Sequence, residues 1–347
     1  MRKSLLMSGF LLTLTIFGLL GFISIEPTPV YSQDIQNEIP YLLDVNIYFS
    51  ESNGEMSQFD RSNRGISRFA GLLRIAGANL FTLEWRKGIP ADADLVIIAA
   101  PTSDLASDQL ARLWSYLQNG GRVLLIADAF EANGNVSRSL SPTGIFDLMW
   151  NDMGIRARQD VIVEEGSLRE VSIRNTNNEG EVVFEFTGEL PELITKFQTT
   201  DINENHPVTS GLVSSIIGGD TSQLSNLNSL FFDGARSLQV DGSLDQVLLT
   251  PLVFTDNSTA YGETDFTEYR NTQYAEYNPE EDNQRGDMIL VASYENPVGS
   301  QMILMGDGDI VRNGSGFVTA PSYSASFVYP LNVQLMLRSI AWLLDRE

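Results

Sequence analysis

Two apolar runs decide how this chain is read: Asp94-Leu-Val-Ile-Ile-Ala-Ala100, closed by Pro101, and Arg122-Val-Leu-Leu-Ile-Ala127, closed by Asp128. Neither run alternates polar with apolar residues. A short, near-continuous apolar run suits a strand buried on both faces, as in a parallel sheet covered by helices. Between them, Ser107 offers an N-cap for a helix whose stripe is Leu110, Leu113, Trp114 and Leu117, and Asn119-Gly120-Gly121 ends it. Upstream, Leu42 to Phe49 predicts a first strand and Asn79 to Glu84 a second. Ile66, Phe69, Ala70 and Leu73 between them predict a helix that stops near Gly77. Strand–helix alternation with short connections implies right-handed crossovers and a parallel sheet.

The pattern changes after about residue 155. Val171 to Ile173 and Val182 to Phe186 flank Asn177-Asn178-Glu179-Gly180, a hairpin signal, and Leu230 to Phe232, Gln246 to Leu249 and Leu252 to Phe254 read as further strands. Glu263 to Asp287 is acidic, with Tyr269, Tyr274 and Tyr277 interleaved, and predicts a long solvated loop. The α/β signal then returns. Met288 to Tyr294 and Gln301 to Met305 flank Asn296-Pro297-Val298-Gly299 as an antiparallel hairpin. Val333, Leu337, Ile340 and Leu344 stripe a final helix, and Pro330, Asn332 and Arg338 argue against its spanning a membrane. The expectation is an α/β fold with helices on both faces of a mostly parallel sheet. Its core is residues 40–150 and 286–347, with a β-rich insertion over 155–285 and no internal repeat.

The chain opens with an address. Arg2 and Lys3 precede an uncharged run from Leu5 to Ile25, Pro27 and Pro29 close it, and Val30-Tyr31-Ser32 resembles a cleavage site before Gln33. Residues 1–32 are read as a cleaved signal peptide or as an uncleaved membrane anchor, since the run is long enough to span a bilayer. Either reading places residues 33–347 outside the cytoplasm, periplasmic or at the cell surface, secreted or anchored. Composition narrows the chemistry further. Over 347 residues, 22 Lys+Arg stand against 45 Asp+Glu, a formal charge of −23 that argues against nucleic acid, whose phosphates need clustered cations. The absence of cysteine excludes disulfides, thiolate zinc sites, a lipoprotein anchor and a cysteine nucleophile. One histidine excludes His-pair metal motifs.

Ligands in open α/β sheets bind beyond the carboxyl ends of the strands. Here that means Asp44 to Asn53, Pro101 to Asp104, Asp128 to Asn133 and Gly306 to Asn313. Most of these segments are acidic, the wrong sign for a phosphate pocket. Gly306-Asp-Gly308 opens a dinucleotide fingerprint, but Val311 stands where its third glycine belongs, and no Gly-Lys pair exists for a Walker A loop. Asp307 and Asp309 offer oxygen ligands to a hard cation. The preferred reading is aspartates that bond backbone amides in a loop, so neither metal nor cofactor is expected. His206, in Asn205-His206-Pro207, reads as a structural turn residue, and no G-x-S-x-G elbow supplies a serine for it. Asp128 occupies the position a nucleophile elbow would use.

Three stretches, taken in order, resemble a known family: Gly65-Ile-Ser-Arg-Phe-Ala-Gly-Leu-Leu73, Ala93-Asp-Leu-Val-Ile-Ile-Ala-Ala-Pro101 and Leu117-Gln-Asn-Gly-Gly-Arg-Val-Leu-Leu-Ile-Ala-Asp128. They look like the GldG-type domain that accompanies ABC transporters and bacterial gliding systems, and are similar to a domain of an intraflagellar-transport subunit. Gly306-Asp-Gly-Asp-Ile-Val-Arg-Asn313 looks like the family's G-D-S-D-F-x-x-N element, and Asn332 with Trp342-Leu343 its terminal G-N…W-L helix. Asp233-Gly-Ala-Arg-Ser-Leu238 and Thr250-Pro-Leu-Val-Phe-Thr255 look like its middle section. Gly308, Ile310, Leu331 and Arg338 depart from the pattern, standing for serine, phenylalanine, glycine and asparagine. The resemblance implies a flavodoxin-like fold related to class I glutamine amidotransferases. Those enzymes carry a cysteine on the elbow, where this chain has Ala127-Asp128-Ala129. It therefore implies a non-catalytic binding or scaffold domain, partnered by ABC transporter membrane subunits or other envelope proteins. Asp128, Asp307, Asp309 and Asn313 are its cleft candidates. A carboxylate-dependent hydrolase using Asp128 and Asp307, or an exported glycan- or ion-binding module, are the alternatives.

Overall fold

The computed structural model describes residues 40–129, 144–177, 179–217, 225–244, 246–256, 259–265, 276–283, 285–320 and 326–346. Residues 1–32, Tyr269 and Tyr274 lie outside the described residues. Among those described, no helix is long and apolar enough to cross a membrane.

In the first part of the chain β1 (Asn46–Phe49), α1 (Ser67–Ile75), β2 (Asn79–Thr82), β3 (Leu95–Ala99), α2 (Ser107–Gln118), β4 (Arg122–Ile126) and α3 (Gly144–Met153) follow one another. The middle carries β5 (Ile155–Ala157), β6 (Val161–Thr176), β7 (Val182–Ile194), β8 (Lys196–Thr199), α4 (Pro207–Ser210), α5 (Val213–Ile217), β9 (Leu230–Asp233), β10 (Leu238–Val240), β11 (Leu248–Phe254) and β12 (Tyr261–Glu263). The last part holds β13 (Ile289–Glu295), β14 (Gln301–Met305) and α6 (Pro330–Leu343).

The main sheet runs β2-β1-β3-β4-β14-β13-β10-β5, with β11 also paired to β13. From β2 to β14 every pairing is parallel. Four early strands in the order 2-1-3-4, with a fifth beside β4, make the flavodoxin-like arrangement. Leu95 to Ala99 are buried without exception, as a strand covered on both sides requires. Alternate residues face opposite layers. Leu95, Ile97 and Ala99 pack with Phe69, Leu72 and Leu73 of α1 and with α6; Val96 and Ile98 pack with Leu113 and Leu117 of α2 and with Ile145, Phe146 and Met149 of α3. Each fully buried Leu, Ile or Phe in these layers contributes roughly 1.5–3 kcal/mol relative to exposure.

The structure departs from the sequence reading in four places. First, the main sheet is not confined to residues 40–150 and 286–347. β5, β10 and β11, all from the stretch expected to be an insertion, extend it on its antiparallel side. β13 would otherwise leave an unpaired edge there. Strands of three residues, such as β5 and β10, are too short to show a period. Second, the two strands expected at 246–249 and 252–254 are one. Register shifts after Pro251 interrupt β11 without ending it, because proline cannot donate to the ladder. Third, Ser107 is the first helical residue rather than the cap. Ala106 stands at the N-cap, and its N–H donates to Gln109 Oε1 at 2.6 Å. Fourth, the described ends of the acidic loop are packed. Glu263 is buried at the end of β12, and the Tyr277 ring lies 5.2 Å from that of Tyr261 and 4.5 Å from the Arg285 guanidinium.

α6 carries more than its predicted stripe, for it is buried nearly all round. One of its polar residues has a clear duty. β9 uses one edge to pair with β8. Its other edge meets Asn332, whose Oδ1 accepts from Phe231 N and whose Nδ2 donates to Phe231 O, both at 2.9 Å. The side-chain amide thus stands in for a neighbouring strand. Replacing it with leucine would leave two buried backbone groups unmet, at about 1–3 kcal/mol each. We expect N332L to lower stability by roughly 2–4 kcal/mol in urea unfolding; a change below about 0.5 kcal/mol would show that the amide is dispensable.

Candidate functional site

β4 and β14 are parallel neighbours, with Ile126 opposite Met305. Asp128 leaves one and Asp307 and Asp309 leave the other, so all three side chains arrive at the same end of the sheet. A carboxylate oxygen from each lies within 4.8 Å of the others. Such a cluster is electrostatically costly unless a cation answers it. The answer is Arg312, one turn beyond Asp309. Its Nη2 donates to Asp128 Oδ2 at 2.6 Å and its Nη1 to Asp309 Oδ2 at 2.5 Å. Both Arg312 and Asp128 are buried.

Asp307 is fully buried and serves the backbone. Its Oδ2 accepts from Asp233 N at 2.9 Å and its Oδ1 from Asp309 N at 2.7 Å. It therefore takes the second outward N–H of β9, two residues along from the one held by Asn332. Burial, and then the neighbouring Asp309 and Asp128, push its carboxyl well above the ordinary range. Burial also raises Asp309, against the pull of Arg312 and the hydroxyl of Ser315. For Arg312, burial works against the charge, but Asp128, Asp309 and Asp307 outweigh it and the net shift is upward. A guanidinium thus stands between the oxygens a metal ion would need, and two of the three carboxylates already hold it. The donor set fits a fixed arginine better than a resident divalent cation.

Two glycines allow this crowding. A Cβ at Gly306 would lie 2.1 Å from Arg236 O, and one at Gly308 would lie 2.4 Å from Asp128 Oδ2. A side chain at 308 would have to push the Asp128 carboxylate off its bond to Arg312.

Asn313 does not join the cluster. Its Oδ1 accepts from Arg68 N at 3.0 Å, and its Nδ2 donates to Asp60 O and Ser62 O at 3.0 and 2.8 Å. Ile66, at the N-cap of α1, gives no side-chain bond. The start of α1 is capped instead by an asparagine that follows β14, which also binds the loop leading into the helix.

At the crevice between β1 and β3, where strand order reverses, the polar groups bond to one another. Glu55 accepts from Ser50 Oγ through one oxygen and from Asn53 N through the other, the latter at 2.5 Å. Trp85 Nε1 donates to Ser50 Oγ at 2.8 Å, and Asn53 O takes the N–H groups of Thr102 and Ser103. Sequence reasoning named the segments but not Glu55, which lies just beyond the strand end and whose role depends on the fold.

His206 caps α4. Its Nδ1 accepts from Val208 N at 3.2 Å, which leaves the proton on Nε2, facing Ser293 Oγ at 3.2 Å. A ring in that tautomer has no lone pair for a serine proton. Burial lowers its pKa from 6.5 to about 4. Arg236 and Asp160 are two further buried charged residues that sequence reasoning did not single out as site candidates. Asp160 takes Ser237 N at 2.8 Å and Asn283 Nδ2 at 2.7 Å, and Arg236 Nε donates to Arg158 O at 2.6 Å.

Strand order and site together define a flavodoxin-like domain with a buried, salt-bridged aspartate just after β4. The chain belongs to the family described as an ABC-type uncharacterized transport system, whose profile matches residues 44–338. Its GldG-type motifs agree with that membership, and its role is transport-associated. Among solved structures it is similar to the mmIFT52 N-terminal domain, at 15% identity over 86% of this chain and 97% of that one, with a TM-score of 0.48. It is also similar to a ThuA-like protein from Bacteroides uniformis, at 12% identity over 88% and 93% of the two chains, with a TM-score of 0.38. No curated protein matches the sequence.

Removing Arg312 takes away the buried cation that Asp128 and Asp309 hold beside Asp307. We expect R312M to cost about 3–5 kcal/mol at pH 8. The sign with pH follows from the raised carboxyls. The folded variant takes up protons at higher pH than the unfolded chain, so acidification favours the fold and the deficit narrows as pH falls through the raised values. Urea unfolding of both proteins between pH 5 and 8 measures this; a deficit that does not vary with pH would mean the carboxylates were not the cause.

Proposed function

We propose that the chain is a non-catalytic, extracytoplasmic binding or scaffold domain that works beside an ABC-type transporter, docking on its membrane subunits or on an associated envelope assembly. The observation that carries this reading is the family match over 44–338 combined with strand ends that are spent on the fold itself. Every cleft candidate has a structural partner: Asp128 and Asp309 on Arg312, Asp307 on β9, Asn313 on α1. The elbow offers no sulfur, and the single imidazole is used as a cap. The basic, apolar segment within residues 1–32 supports export and attachment to the membrane.

Crosslinking in intact membranes from the native source, followed by identification of the captured chains, tests the proposal. A transporter membrane subunit in the adduct, together with protease access to residues beyond 33 from the outer side only, is the expected result. Absence of such a subunit, or access only from the cytoplasmic side, would overturn it.

One observation favours a second reading, hydrolysis by paired carboxylates. Asp128 and Asp307 do meet, and raised carboxyls are what a general acid requires. Under that reading D128N abolishes turnover of a susceptible ester or glycoside at a temperature where circular dichroism shows the variant still folded. A chain that turns over none of a broad ester, amide and glycoside panel would remove it.

A further inference from the structure

Three arginines of this acidic chain meet at one recess. Arg156 on β5, Arg158 just after it and Arg236 just before β10 line a cavity of about 440 Å³ with Gln239, Thr264 and Asn283. Its position is at the carboxyl-end side of the sheet, since Arg236 N donates to Gly306 O directly after β14. It is separate from the Arg312 cluster, whose residues do not line it.

Arg236 is the unusual member. It is fully buried, and its Nε is satisfied by Arg158 O, but among the described residues neither Nη1 nor Nη2 has a hydrogen-bond partner. The Phe146 ring covers one face of the guanidinium at 4.9 Å. Asp160 and Asp128 act on it through space only, and burial lowers its pKa to about 10. A buried, incompletely bonded cation is expensive, and native structures rarely keep one without use. Above it, Arg156 and Arg158 are only partly buried. Arg156 spends its Nε on Gln239 Oε1 at 2.9 Å and lies 4.6 Å from the Trp150 ring. That arrangement fixes the guanidinium plane. Among the described residues Asp147 is the one carboxylate in the lining, and it is exposed.

We propose that this recess is a binding site for a small oxyanion, a phosphate or carboxylate group, held by Arg156 and Arg158 over the fixed charge of Arg236. Arginine suits such groups because its fork matches two oxygens at once. A fixed charge in the low-dielectric floor strengthens the attraction without competing for water. Thr264 and Asn283 complete the wall with neutral side chains that are themselves held by Glu281 O and Asp160. The inference stands apart from the transporter reading, since it rests on the recess alone.

The test is isothermal titration of the full-length purified chain with inorganic phosphate and with citrate, each against sodium chloride at matched ionic strength. Saturable binding of phosphate or citrate, absent with chloride, is expected. R156Q/R158Q should weaken it at least tenfold while keeping its unliganded Tm within a few degrees of wild type. R236K, which keeps a charge but loses the fork, should weaken it less than the double variant. Heat that follows ionic strength alone, or equal binding by wild type and R156Q/R158Q, would overturn the proposal. The phosphate and citrate arms separate the two oxyanion classes.

Discussion

A single guanidinium governs the end of the sheet. Arg312 spans the carboxylates that follow β4 and β14, and those strands are where the early and late parts of the chain join. Without it, the parallel register that brings β14 beside β4 would also bring three negative charges together in a buried place. The geometry is demanding because each element is fixed by another. Gly306 and Gly308 let the backbone pass close to Arg236 and Asp128, and Asp307 turns away to hold β9. The ion pairs are therefore less a source of net stability than a condition on which alternative arrangements are admitted.

The same economy runs through the neighbouring contacts. Asp307 and Asn332 come from different elements, yet they take successive outward N–H groups of β9, as a partner strand would. Asn313 caps a helix whose own N-cap residue is an isoleucine. In each case a polar side chain after β14 or on α6 completes hydrogen bonds that begin much earlier in the sequence. The motif that looks like the family's G-D-S-D-F-x-x-N element is, physically, a bracket.

How much of this could be read beforehand depends on range. Leu95 to Ala99 announced a doubly covered strand because five apolar residues in a row leave few other choices, and the α1 stripe was equally plain. The rule about strand ends also brought Asp128, Asp307 and Asp309 to one place. It did not name Arg312, because a lone arginine inside an acidic loop looks like a solvated one. The roles of Asp160 and Arg236 were hidden for a different reason: their partners lie on segments whose proximity only the fold creates, as with Ser237 and Asp160. β5 and β10 escaped because three residues carry no period. The chain's scaffold was written in local pattern, while its polar core was written in contacts between distant segments.

The place of β14 in the sheet has a consequence for how the molecule is born. It lies between β4 and β13, in the interior rather than at a rim. A nascent chain emerging amino end first can zip β1, β3 and β4 together, yet it leaves β4 with a bare apolar flank until residues 301–305 appear. Closure then depends on contacts between widely separated segments, which form late and slowly. The central sheet of such a polypeptide cannot be completed until residues 301–305 have been made, so its first four parallel strands wait on the last sixth of the chain.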